Sequence, residues 1–130
     1  MLFLFSKYGY KLIRNTVEII NSLQSKGHGI FLCSYVSKSR YNFIKSVIDF
    51  YGIKYTEILC RDKGEKYSNI VERVCPDVLI EDDCKSICGA KYCCIDGVRE
   101  DIRANINFII VPEFSGIDDI IIKIDGDNND

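Results

Sequence analysis

The chain has 130 residues, of which 47% are apolar, enough for one modest core and for a single domain over residues 1–124. Its net charge of −2, from 17 basic and 19 acidic residues scattered along the length, offers no basic stripe, so a nucleic-acid partner is not expected. The opening MLFLF is too short for a signal segment and no later run approaches a membrane span, so the sequence reads as soluble and cytoplasmic, without a membrane partner.

Leu2 to Phe5 forms the first apolar run and reads as a buried strand. Leu12, Ile13, Val17, Ile19, Ile20 and Leu23 then fall on one helical stripe. Asn15 and Glu18 offer a capping-box-like start, and Gly27 a stop. Gly29 to Ser34 reads as the next strand. A second helical stripe through Ile44, Val47, Ile48 and Tyr51 ends at Gly52, with Ser37 or Ser39 as candidate N-caps. Tyr55 to Cys60 is a strand, and a third helix passes through Tyr67, Ile70, Val71 and Val74 before Pro76 stops it. Strands follow at Asp77 to Ile80, Tyr92 to Ile95 and Asn107 to Val111. Ile120 to Ile122 closes a last short element. Residues 125–130 read as a disordered acidic tail; Asp125, Asp127 and Asp130 lack the helix and the final glutamate of a calcium loop.

Strands alternating with helices predict an α/β fold, a mostly parallel sheet with helices on both faces in three Rossmann-like layers. Such sheets bind ligands at the carboxyl ends of their strands. Seven cysteines, an odd number, exclude a complete disulfide framework. Their spacing around Cys84, Cys88, Cys93 and Cys94 contains no CxxC pair, so they read as reduced and metal-free.

Polar residues of the right chemistry stand at several strand ends. Glu81, Asp82 and Asp83 end one apolar strand, and adjacent carboxylates repel unless a hard cation such as Mg²⁺ gathers them. Ser34 ends another, where its hydroxyl and the following amides suit an anionic oxygen. Lys63 and Lys66, before or at the start of the third helix, are placed to neutralise a phosphoryl group.

The segment PDVLIEDDCKSI resembles the fourth motif of the haloacid dehalogenase (HAD)-like phosphohydrolase superfamily, an acidic pair after an apolar strand, and IFLCS resembles its second. The resemblance covers nearly the whole chain. It implies that Asp82 ligates the metal with Asp83 beside it, that Ser86 stands where a second acid is often found, and that Ser34 binds phosphate. The motif lysine falls on Lys66 or Lys63. It also implies a small phosphorylated ligand, a Mg²⁺ cofactor and no large cap domain. Active members carry an Asp-x-Asp pair in the first motif, nucleophile then acid–base; here Ser6 and Tyr8 occupy those catalytic positions, so a weakened or silent phosphatase is expected. A phosphate-binding or protein-binding relative without catalysis is the alternative. On the same resemblance, Leu2 to Phe5 is expected beside Gly29 to Ser34 near the sheet centre, with Asp77 to Ile80 on its other side.

Overall fold

The computed structural model describes residues 3–6, 9–83, 92, 94–112 and 115–125. They form a mixed α/β structure of short strands and helices: β1 (Phe3–Ser6), β2 (Gly9–Leu12), α1 (Thr16–Ser25), β3 (Phe31–Ser37), a 3₁₀ turn (Lys38–Arg40) and α2 (Tyr41–Phe50). There follow β4 (Glu57–Arg61), α3 (Tyr67–Val74), β5 (Val78–Asp82), α4 (Glu100–Arg103), β6 (Asn107–Val111) and α5 (Ile120–Asp125).

The ladders are parallel where helices intervene. β3 pairs with β4 from Phe31 opposite Glu57 to Ser34 opposite Cys60, then shifts register so that Ser37 faces Arg61. β5 pairs with β6 from Val78 opposite Asn107 to Asp82 opposite Val111. β1, however, pairs antiparallel with β2, Phe3 opposite Leu12 and Ser6 opposite Gly9. That corrects the expectation that Leu2 to Phe5 lies between the strands of Gly29 to Ser34 and Asp77 to Ile80. Antiparallel pairing of strands this close in sequence gives β1 a local ladder partner and needs no long crossover.

Helix 1 starts later than its stripe suggests. Leu12 ends β2 and Ile13 is buried outside the helix, because Arg14 takes a left-handed φ of 47° and turns the chain before Thr16. Asn15 is the N-cap residue but makes no side-chain cap bond, so the expected capping box does not form; the Thr16 hydroxyl donates instead to the Ile13 carbonyl at 2.6 Å. Ser37 is the N-cap of the 3₁₀ turn, again without a cap bond, and its hydroxyl lies 2.8 Å from that of Ser39. Helices α2 and α3 end as their sequences suggest, at Gly52 (φ 74°) and at Cys75 (φ 48°) just before Pro76.

Alternate strand residues enter different apolar clusters. Ile58 of β4, Ile109 and Val111 of β6, and the partly buried Val78 and Ile80 of β5 pack with α1, α2 and α5 through Ile19, Ile20, Leu23, Ile48 and Ile120. Leu59 packs instead with Tyr67 and Ile70 of α3. Leu79 and Phe108 pack around Val71, Ile95 and Val98. Helices of ten residues or fewer gain little from propensity alone, so burial of these stripes holds them in place.

The segment expected as a strand over Tyr92 to Ile95 is a turn at Cys94–Gly97 in its described part. Ile95 is almost fully buried there, and Asp96 Oδ2 accepts from the Tyr92 amide at 2.8 Å, closing the turn. An apolar pair at 94–95 therefore marks an inward-facing turn rather than a ladder. Gly97 permits its close approach to α3: a Cβ there would stand 2.6 Å from Ser68 Oγ and 2.9 Å from Ser68 Cβ. Gly97→Ala is expected to cost about 1–3 kcal/mol through that clash. Urea unfolding checks this, and Gly97→Ala with Ser68→Gly should recover part of the loss.

Candidate phosphate and metal site

Ser34 is half-buried and occupies the last regular pairing position of β3, opposite Cys60, before the ladder shifts. Beyond the end of β4, Gly64 at φ 80° turns the chain and leaves Lys63 exposed in that turn. Lys66 is the exposed N-cap residue of α3; its own amide donates to Asn69 Oδ1 at 3.0 Å. Lys38 and Asp62, which follow β3 and β4, form an exposed ion pair at 3.3 Å. Ser34, Lys63 and Lys66 thus belong to the carboxyl-end region of one parallel pair.

Asp82 and Asp83 belong to the other pair. Asp82 ends β5 opposite Val111, Asp83 follows it, and both are half-buried. Ser6 ends β1 within the hairpin, opposite Gly9. Tyr8 and Ser86 lie outside the described residues, as do Cys84, Cys88 and Cys93.

Glu81 behaves differently from its acidic neighbours. It is buried, and its carboxylate accepts from the Cys94 amide at 2.7 Å and from the Ile95 amide at 3.4 Å. Burial raises its pKa above the usual glutamate value, with the charge of Asp82 adding to the rise, while the Cys94 and Ile95 amides oppose it. The first acid of the EDD run is therefore committed to the turn at 94–97. Strand alternation carries the signal for this: Glu81 shares a face with Leu79, whereas Asp82 does not.

Among the described residues, no group of three or more His, Cys, Asp or Glu side chains is placed to hold a metal ion. Asp82 and Asp83 supply two carboxylates, which suits Mg²⁺ only where water and a ligand's phosphate oxygens complete the octahedron. Two hollows occur elsewhere. One of about 290 Å³ is lined by Asn107 to Ile110 and Lys123. Another, of about 160 Å³ beyond the end of β6, is lined by Arg14, Val111, Ser115, Asp118 and Lys123 among others. Neither is lined by Ser34, Lys63, Lys66, Asp82 or Asp83. In the second, Arg14 meets Asp118 at 3.4 Å, while Asp118 Oδ1 is buried without a partner among the described residues.

No helix among the described residues is long and apolar enough to cross a membrane. No protein-family model, no curated protein and no solved structure matches the chain.

Proposed function

We propose that residues 1–124 form a HAD-like, three-layer α/β domain that binds a small phosphorylated molecule, with Mg²⁺ held loosely, and turns it over slowly or not at all. The observation that carries this reading is the position of the polar residues: Ser34 lies within β3, at its last regular pairing position and three residues before the strand ends at Ser37, the lysines follow β4, Asp82 ends β5 and Asp83 follows it. Ligands gather at such strand ends. In this reading Ser34 donates to a phosphoryl oxygen, Lys66 or Lys63 offsets its charge, and Asp82 with Asp83 orients the cation.

Hydrolysis through a covalent phosphoenzyme needs a carboxylate nucleophile and a second group to move the proton. The resemblance assigns these two positions to Ser6 and Tyr8, neither of them a carboxylate, and Ser6 ends a strand paired with β2 rather than with β3 or β5. A serine hydroxyl with no base to deprotonate it attacks phosphorus poorly. With p-nitrophenyl phosphate and Mg²⁺ the chain is therefore expected to release nitrophenol at the enzyme-free rate or only slightly above it. Brisk hydrolysis that Asp82→Asn abolishes would show that another residue attacks. The same polar placement supports a second reading, a silent phosphate-binding relative; it holds if phosphate binds and even the paired change of Ser6 and Tyr8 to Asp brings no turnover.

A further inference from the structure

Beyond the carboxyl end of β6 lies the hollow of about 160 Å³, which is lined by none of the residues assigned above to phosphate or Mg²⁺. The buried Val111 and Ile120 give it an apolar lining, and Arg14, Asp118, Asp119 and Lys123 stand around it. At neutral pH these four carry two positive and two negative charges, so the described lining is neutral overall. At roughly 30 Å³ per water the space takes about five waters, or a solute of about six non-hydrogen atoms.

Arg14 holds a left-handed backbone, φ 47°, which is costly for a residue with a Cβ; such strain clusters at ligand sites, where it aims a side chain. Its guanidinium is 63% exposed and meets Asp118 Oδ2 at 3.4 Å, longer than a charge-assisted bond of about 2.7–2.9 Å, so most of its donors remain for a ligand. Asp118 Oδ1 is closed to solvent and has no hydrogen-bond partner. A buried acceptor without a donor is a cost that a bound donor removes. The Asp118 side chain as a whole is 27% exposed, and rotation about its last bond, a soft torsion, is enough to present that oxygen to a solute. Gly116 leaves this corner open: a Cβ there would stand 3.2 Å from Ile13 Cγ2, 3.4 Å from Asp118 Oδ1 and 3.7 Å from Arg14 Cδ.

We propose that this hollow binds a small α-amino acid as its zwitterion. The ligand's carboxylate lies against the Arg14 guanidinium, with Lys123 adding positive potential, and its ammonium donates to Asp118, with Asp119 adding negative potential. The balance of charge selects the class. A dianion such as phosphate would meet the two aspartates and a divalent cation the arginine and lysine, whereas a zwitterion leaves no like charges together. A guanidinium and a carboxylate 3.4 Å apart match a ligand whose own two charges sit on one carbon, so an amino acid with a longer spacing fits less well. The site stands whether or not the phosphate reading does.

The test follows amide chemical shifts of the full chain during titration with L-alanine, and separately with acetate, methylammonium, 4-aminobutyrate and inorganic phosphate. L-Alanine should give saturable shifts at Arg14 and over residues 115–123. Each of the other four should bind there about tenfold or more weakly, since each lacks one charge or misplaces it. Arg14→Gly, which suits the positive φ, and Lys123→Met, at an exposed position, should keep the fold and weaken L-alanine, about tenfold or more for the first. Asp118→Asn should bring L-alanine down to the affinity of acetate. Acetate or phosphate bound as tightly as L-alanine would mean a plain anion site, methylammonium bound as tightly a plain cation site, and either overturns the proposal. So would shifts at other residues only, none at tens of millimolar L-alanine, or unchanged L-alanine binding in Arg14→Gly.

Discussion

Ile70→Ala is expected to lower the unfolding free energy by about 2–5 kcal/mol, the range for deleting a fully buried branched side chain. Ile70 lies on the inward face of α3, is 2% exposed and packs with Leu59 of β4 and Tyr67 of its own helix. α3 has only eight residues and no acidic residue in its first turn, so its position depends on that burial. The cavity left by alanine would face Leu59 of β4, which packs in the same cluster. Ile70→Val should cost about 0.5–1.5 kcal/mol, so a urea series of the two variants separates packing loss from misfolding.

Glu81→Ala is the second large effect, with about 1–3 kcal/mol expected because the Cys94 and Ile95 amides would lose their acceptor in a part-buried setting. Its pH dependence gives a sharper signature. The folded carboxyl has a pKa raised above the unfolded value of 4.5, chiefly by burial, so the folded state binds the proton more tightly than the unfolded one. The stability linked to this group is then fully present below the unfolded value and falls as pH rises through the folded value. Glu81→Gln removes the titration. The stability of the parent relative to Glu81→Gln should decline from about pH 4 upward; a difference that rises with pH would mean that the amide bonds to the carboxylate outweigh its desolvation.

Much of the helical framework was legible because apolar stripes of period 3.6 report burial directly. The stripes at Ile19, Ile20 and Leu23, at Ile48, and at Ile70 and Val71 all point into clusters. The strand Asn107–Val111 lies where its apolar run suggests, and the others shift by one to three residues at their ends. β2 was hidden because Leu12 and Ile13 extend the α1 stripe on paper, whereas Arg14 breaks the chain with a left-handed residue that nothing in its own type announces. Tyr92 to Ile95 misled for a related reason. A short apolar run states that a segment is inside but not whether its amides go to a ladder or, as here, to the side chain of Glu81.

The candidate site was legible as an inventory and not as an arrangement. Sequence order puts Ser34, Lys63, Asp82 and Asp83 near strand ends because apolar runs stop there. It does not say which strands are neighbours, and β1 in a hairpin rather than beside β3 removes the geometry on which Ser6 was assigned. Nor does a run of three acids tell which one is turned inward; the alternation with Leu79 separates Glu81 from Asp82, and Asp83 lies beyond the end of β5.

Amide chemical-shift mapping during titration with inorganic phosphate, with and without Mg²⁺, tests the phosphate reading most directly. The account predicts saturable shifts at Ser34 and around Lys63 to Lys66 with phosphate. Mg²⁺ should add shifts at Asp82 and Asp83 and tighten phosphate binding, and Asp82→Asn should remove the Mg²⁺ effect while leaving the fold intact. Shifts confined to the hollow at Arg14 and Lys123, or none at millimolar phosphate and Mg²⁺, would contradict it.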